Sequence, residues 1–224
     1  MSPQQKIRPT PWDKRAFGTD TYELADASAG LLDAALAKPG HYTVRIDPLA
    51  STRELARCGF YYCDTLMEPW CTPQRLVRCT HEEVTIDNAP PLEGVMEICH
   101  GAFRHGRFHR DFNIQPALAD ARYDNWLRQL HGEGRVHGLY FQAVLAGFIA
   151  RRDDCFVLHA LGERYRGKSL ARYFWSMLCA RLFAEGLPLV RSSISAANLG
   201  ALNLYASLGF KFRAAVDVYH RVVP

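Results

Sequence analysis

The residues from Gly162 to Ser169 read GERYRGKS. Their types and spacing offer phosphate chemistry of two kinds. As G-x-x-x-x-G-K-[ST] they fit, letter for letter, the loop that cradles a nucleoside triphosphate. As Arg164-x-x-Gly167-x-Ser169 they fit a shorter pyrophosphate cradle. Both need a strand before the loop and a helix after it. The first backbone N–H groups of the helix then face the anion, and the helix dipole favours negative charge there. Gly167 lets the backbone come close to phosphate oxygens, while Arg164, Arg166 and Lys168 surround the loop with positive charge.

The elements around the loop are legible. Leu139–Gln142 and Ala146–Ala150 read as two short strands joined by a tight turn. Cys155–Leu161, CFVLHAL, is an apolar run of strand length. Leu170–Glu185 has helical periodicity, and Gly186 with Pro188 stops it. Leu189–Ile194 reads as a strand. Asn198 caps a helix that runs to Leu208 and ends at Gly209, and Phe210–Val223 supplies one or two closing strand segments.

These elements discriminate between the two cradles. A nucleotide hydrolase needs further strand–helix units and a strand ending in Asp to hold Mg²⁺. The strand that follows here, LPLVRSSIS, ends in serines, and little chain remains beyond it. The other cradle finds what it needs. The segment from Arg164 to Ser169 resembles the [Arg/Gln]-x-x-Gly-x-[Gly/Ala] loop of the GNAT superfamily of acetyl-CoA-dependent N-acyltransferases. That family's block Asn-x-x-Ala-x-x-Leu-Tyr-x-x-x-Gly-Phe is matched by Asn198, Ala201, Leu204, Tyr205, Gly209 and Phe210. The resemblance covers Val95–Val222. It departs at Ser169, where the family prefers Gly or Ala. Within the superfamily, Trp12 and Phe17-Gly18 in PWDKRAFG, together with the long N-terminal half, resemble dTDP-fucosamine acetyltransferases, which act on a nucleotide-linked amino sugar.

The resemblance implies an α/β fold with a central mixed, splayed sheet flanked by helices, preceded by a smaller α/β N-terminal half. It implies acetyl-CoA as cosubstrate and no metal. The pyrophosphate would sit on amides near Arg166, Gly167, Lys168, Ser169 and Leu170, beside Arg164. Pantetheine would lie along the strand edge at Leu158, Ala160 and Leu161, with Asn198 within reach. Tyr205 would be the general acid, because a phenol near pKa 10 can protonate a thiolate whose conjugate acid is near 8.5. Its neighbours Ala201, Leu204 and Leu208 form one helical stripe, so packing is its alternative role. His159 is the candidate base, since an imidazole near pKa 6.5 accepts protons at neutral pH.

The segment Cys99–Phe112, CHGAFRHGRFHRDF, is the second concentration of chemistry. Its spacing matches no standard metal site. Arg104, Arg107 and Arg110 could instead bind a phosphate or carboxylate on the acceptor, as guanidinium forks do. Ala117–Leu130 follows as an amphipathic helix anchored by Ala121, Tyr123, Trp126, Leu127 and Leu130.

The N-terminal half is fainter. Glu54–Trp70 echoes Leu204–His220: each reads as a helix end, then Gly-Phe, then a strand. The echo is either a degenerate duplication or a recurrent local solution. Thr85–Val95, with Pro90-Pro91, is the best linker candidate, which divides the chain into 1–90 and 95–224.

The 224 residues carry a net charge of +4, with 48% hydrophobic and 22% charged residues. That charge suits anionic small ligands and is too weak to suggest nucleic acid. Seven cysteines without a Cys-x-x-Cys suggest free thiols. The N-terminal MSPQQKIRPTPWDKRAF lacks an apolar run, which predicts a soluble, cytoplasmic protein without membrane contact. The expected partner is a small-molecule amine, with a homodimer through the N-terminal half or the final strands possible. A small amine or a peptide N-terminus is the alternative acceptor, and an acyl-CoA sensor without catalysis is the alternative function.

Overall fold

Apolar runs interrupted by turn residues become strands in the C-terminal half. β5 (Val84–Asp87), β6 (Val136–Phe141), β7 (Val144–Arg152) and β8 (Cys155–Leu161) form an antiparallel series. β6 and β7 meet across Gln142-Ala143, both left-handed at φ 51° and 61°, as a two-residue hairpin turn demands. The computed structural model describes residues 6–224. α6 (Ala171–Ala184) follows β8 and crosses to β9 (Val190–Ser192), which is parallel to β8. After β10 (Ile194–Ser195), α7 (Leu199–Ser207) starts where Asn198 Oδ1 accepts the Ala201 amide at 3.1 Å. α4 (Leu92–Cys99) and α5 (Pro116–Gly132) cover the opposite face.

The N-terminal half contributes β1 (Ile7–Pro9), α1 (Pro11–Phe17), β2 (Thr21–Leu24), α2 (Ala29–Leu36), β3 (Gly40–Ile46), α3 (Arg53–Arg57) and β4 (Tyr61–Cys71). The C-terminal half closes with one long strand, β11 (Lys211–Val223). All join one sheet of order β1-β2-β3-β11-β4-β9-β8-β7-β6-β5, with β10 paired to β4. β11 does not turn back on itself as a closing pair. It leaves its own half and pairs with β3, while β4 passes the other way and pairs with β9. Asp217–Val223 of β11 pair with β3 and Lys211–His220 with β4, so the strand joins the two halves of the sheet.

Outward from the central β11–β4 pair the sheet reads alike in both directions. On each side come a strand, its parallel neighbour across a helix, and an antiparallel strand. The sequence echo coincides with this arrangement. Leu66 and Val216, aligned by the echo, are directly paired at the centre. The helix ends match bond for bond. Phe60 N donates to Leu55 O at 2.9 Å and Phe210 N to Tyr205 O at 3.1 Å, over Gly59 and Gly209 at φ 69° and 85°.

Thr85–Val95 is not a free linker. Its first residues complete β5 against β6, and its last begin α4. Strand pairing overrode the Pro-Pro signal, which accounts only for the short connection between them. On α5 the fully buried positions are Ala119, Leu127 and Leu130, with Arg122 nearly so. Ala121, Tyr123 and Trp126 are only partly covered. The main core lies under α6 and α7, a second under α4 and α5, and a third under α2 and α3. No described helix is long and apolar enough to cross a membrane.

Candidate active site

β8 and β9 are paired only at Cys155–Arg191 and Phe156–Ser192. Beyond that point the chain after β9 pairs with β4 through β10, and β8 keeps only its β7 partner. The sheet therefore opens between β8 and β9. A register shift between Ala150 and Arg151 leaves Val157 as an extra residue at the start of the opening. Leu158, Ala160 and Leu161 all lie on this unpaired stretch.

The cradle follows at the mouth. A single 3-10 turn, Glu163–Tyr165, leads into Gly167 at φ 71° and Ser169 at φ 59°. Left-handed backbone at a non-glycine residue costs about 1 kcal/mol, which favours Gly where Ser169 stands. The N–H groups of Gly167, Lys168, Ser169 and Leu170 donate to nothing within the described chain. They form a row at the start of α6, exposed at Gly167, Lys168 and Ser169, where an anion is favoured. Arg164 lies over the Tyr165 ring at 4.8 Å, and Arg166 Nε donates to Leu161 O at 2.8 Å, tying the loop to the end of β8. Lys168 is exposed. β8, which precedes the loop, is flanked by antiparallel β7, unlike the parallel sheet that a nucleotide hydrolase loop requires.

Tyr205 and His159 come together although 46 residues apart in sequence. Tyr205 is fully buried on α7, and its hydroxyl lies 3.0 Å from His159 Nε2 on β8. Trp175 Nε1 donates to the same hydroxyl at 3.3 Å, so the phenol hydrogen is free to point at His159. Ser192 Oγ donates to Phe156 O at 2.8 Å and lies 3.5 Å from His159 Nε2, closing the cluster where the splay begins. Burial pushes the Tyr205 phenol above its ordinary value and His159 down to about 4. His159 is thus a neutral acceptor for Tyr205. Its bonded neighbour is the expected acid itself, so the two side chains act as one unit.

The basic segment folds over the opposite face of the central strands. Arg104 is exposed, with Nε on Gly101 O at 3.2 Å. Arg107 lies inward over the Phe108 ring at 4.5 Å, and burial beside Arg45 and Arg122 lowers it to about 10. Arg110 reaches Asp64 at 3.1 Å. The segment's histidines do not converge: His100 binds Asp124 at 2.8 Å and His109 binds Asp120 at 2.9 Å. A different set meets beneath it. His41 Nε2 and His220 Nδ1 lie 3.0 and 2.7 Å from Asp111 Oδ2, hydrogen-bond lengths that tie β3, β11 and the segment together. Burial alone would raise the Asp111 carboxyl, but the bonds from His220 and His41 outweigh it and hold the group well below the usual range.

Sequence reasoning missed Trp175, Ser192 and Asp64. Trp175 lay unmarked within the helical periodicity of Leu170–Glu185. Asp64 carried a signal: an acid in the middle of the apolar strand GFYYCDTLM.

No protein-family model and no curated protein matches the chain by sequence. Solved structures match it in fold. A GCN5-related N-acetyltransferase from Sphaerobacter thermophilus superposes with TM-score 0.61 at 12% identity, over 83% of this chain and 60% of that one. One from Kribbella flavida gives 0.57 at 14%, over 90% and 80%. A tandem GNAT protein from the clavulanic acid biosynthesis pathway gives 0.54 at 13%, over 91% and 75%. The chain spans less than two thirds of the Sphaerobacter protein. Its fold is that of the GCN5-related N-acetyltransferases: a mixed, splayed sheet flanked by helices.

Proposed function

We propose that the chain is an N-acetyltransferase that moves the acetyl group of acetyl-CoA to a primary amine. The observation that carries this reading is the row of free amides from Gly167 to Leu170, set at the mouth of the opening between β8 and β9. Acetyl-CoA would lay its pyrophosphate on that row, with Lys168 and Arg164 beside it. Its pantetheine arm would take the unpaired edge at Leu158, Ala160 and Leu161 as an added strand. Asn198, held as the α7 cap, flanks the far end of the opening.

The amine nitrogen attacks the thioester carbonyl, the new C–N bond forms, and the C–S bond breaks. The nitrogen loses a proton to solvent; the thiolate takes the Tyr205 proton, which leaves His159 Nε2 to make that transfer, and the phenolate recovers a proton from solvent after the products depart. His159 orients the phenol as a neutral acceptor, so it stands as a positioning residue rather than the base. The preferred acceptor is a nucleotide-linked amino sugar. The Trp12 segment supports this, because it forms α1, whose Asp13 accepts from Arg122 of α5 at 2.9 Å beside the basic segment.

We further propose that residues 1–90 are a worn acyltransferase unit, and 95–224 the working one. In the N-terminal half β2 and β3 stay paired over four residues, from Thr21–His41 to Leu24–Val44, which leaves no opening for a coenzyme. The turn before α2 carries no Arg or Lys. The test is calorimetric titration with acetyl-CoA and with Mg-ATP, followed by thiol release with a panel of amines. Binding of acetyl-CoA and acceptor-dependent thiol release are expected. Indifference to millimolar acetyl-CoA overturns the reading.

A further inference from the structure

Asp64 lies near the middle of β4, the strand that passes from the N-terminal half into the C-terminal sheet. Its side chain is fully buried. Oδ1 accepts from Ser195 Oγ at 2.7 Å and from Arg110 Nη1 at 3.1 Å. Oδ2 is also buried, and nothing donates to it. A buried carboxylate oxygen without a donor is costly and rare, and calls for an explanation.

The basic segment carries the complementary defect. Arg107 Nε is buried without an acceptor, and no carboxylate lies within salt-bridge reach of Arg107 among the described residues. Arg107 sits in the turn in which the Arg110 amide donates to Gly106 O at 3.2 Å, and Arg110 itself reaches Asp64, so the two defects lie about one turn of chain apart. Burial raises the Asp64 carboxyl, and the Ser195 bond and the Arg110 charge pull it back. Asp64 is also one side chain beneath the surface, since the Arg110 that reaches it is 35% exposed.

The position links this pair to the proposed chemistry. Ser195 ends β10, immediately past the point where the sheet opens, and its Oγ also accepts from Ala197 N at 3.1 Å. Asn198, three residues after Ser195, is the cap of the helix that carries Tyr205. Asp64 therefore stands one hydroxyl from the segment that joins the opening to Tyr205, on the face covered by the basic segment.

We infer that Asp64 Oδ2 receives an N–H of the acceptor amine, and that Arg107, with Arg110, holds an anionic group of the same molecule. The inference rests on the acetyltransferase reading and assigns residues to both ends of its acceptor, a primary amine that also bears a carboxylate or phosphate. An unpartnered acceptor calls for a donor, and an unpartnered guanidinium N–H calls for an anion. One molecule with both groups satisfies the two together. An α-amino acid and a phosphorylated amino sugar share this chemistry.

The test is direct calorimetry on the full chain, which needs no turnover. Glycine, glucosamine 6-phosphate and UDP-glucosamine are the amine-plus-anion probes. Ethylamine carries the amine alone, and acetate and inorganic phosphate the anion alone. At least one combined probe is expected to bind about tenfold or more tightly than the single-group probes, and which one binds distinguishes the sources. Asp64→Asn should weaken that probe by about 10- to 100-fold, as loss of a charged hydrogen bond does. Ser195→Ala removes one of the two donors to Oδ1 but keeps the carboxylate and its Arg110 partner, and should stay within about threefold of the wild type. Arg107→Gln should reduce the combined probe to the affinity of ethylamine. The inference is overturned if no combined probe binds the wild type, if Asp64→Asn binds unchanged, or if Ser195→Ala loses as much as Asp64→Asn. The thermal shift induced by acetyl-CoA should be the same in wild type and Asp64→Asn. Its absence from the wild type would sink the acetyltransferase reading, whatever the amine titrations give.

Discussion

Replacing Tyr205 by Phe removes one oxygen atom and leaves the ring packed against Phe210, whose centroid is 4.9 Å away. Two buried partners lose their bond. The Trp175 indole N–H, 3.3 Å from the hydroxyl, is left without an acceptor, and His159 Nε2 loses its donor, because the Ser192 hydroxyl 3.5 Å away already donates to Phe156 O. An unsatisfied buried donor costs about 1–3 kcal/mol, and the long Trp175 bond argues for the lower half of that range. At about 2–4 °C per kcal/mol for a chain of this size, the thermal midpoint should fall by about 2–8 °C. The chemical effect is separable from that loss. A general acid contributes about 10²- to 10⁴-fold, and a thiol of pKa near 8.5 is already a fair leaving group, so kcat should fall by about 10²-fold. Affinity for acetyl-CoA should not change, because the hydroxyl lies away from the cradle. The assay is thiol release at 25 °C, well below either midpoint, alongside calorimetric titration of acetyl-CoA. A Phe variant with kcat within about threefold of the wild type would refute the acid role and leave Tyr205 as core. A variant that no longer binds acetyl-CoA would show that the phenol belongs to the binding site.

Four further outcomes are expected. Titration should saturate at one acetyl-CoA per chain, because the β2–β3 pairing closes the equivalent opening in the N-terminal half; a stoichiometry of two would contradict this. Gly209→Ala should destabilise by more than about 2 kcal/mol in chemical denaturation, because its Cβ would meet Arg75 O at 2.1 Å on left-handed backbone. Gly59→Ala should cost less, since its nearest neighbour is the flexible end of Arg221 at 3.2 Å. Ser169→Gly should leave stability nearly unchanged, because relief of a strained φ offsets the entropy of glycine, while acetyl-CoA affinity holds or rises. Acid should destabilise the fold early. His159 and His137 are both pushed by burial to about 4, so the unfolded chain binds more protons between about pH 6.5 and 4. Their contribution is complete above about pH 6.5 and is lost as pH falls to about 4, up to about 3 kcal/mol each. A thermal midpoint that stays flat from pH 7 to 5 would count against neutral burial of these imidazoles.

The sequence alone determined the local chemistry of the C-terminal half. Cys155–Leu161, the cradle, the long helix, the Asn198 cap and the Gly209 terminator all fall where their residue types require, because each depends on neighbours a few positions away. The echo between Glu54–Trp70 and Leu204–His220 was legible for the same reason. What local pattern could not decide was which strand lies beside which. Only the tertiary structure sent β11 to β3 and β4 to β9, drew Thr85–Asp87 into the sheet edge, and opened β8 from β9. It likewise joined His159 to Tyr205 and set Asp64 and Arg107 under one basic segment with a bond missing on each. Pairing and burial are settled by contacts between residues far apart in sequence. A periodicity can state that a strand exists, but its neighbours are selected by the whole sheet.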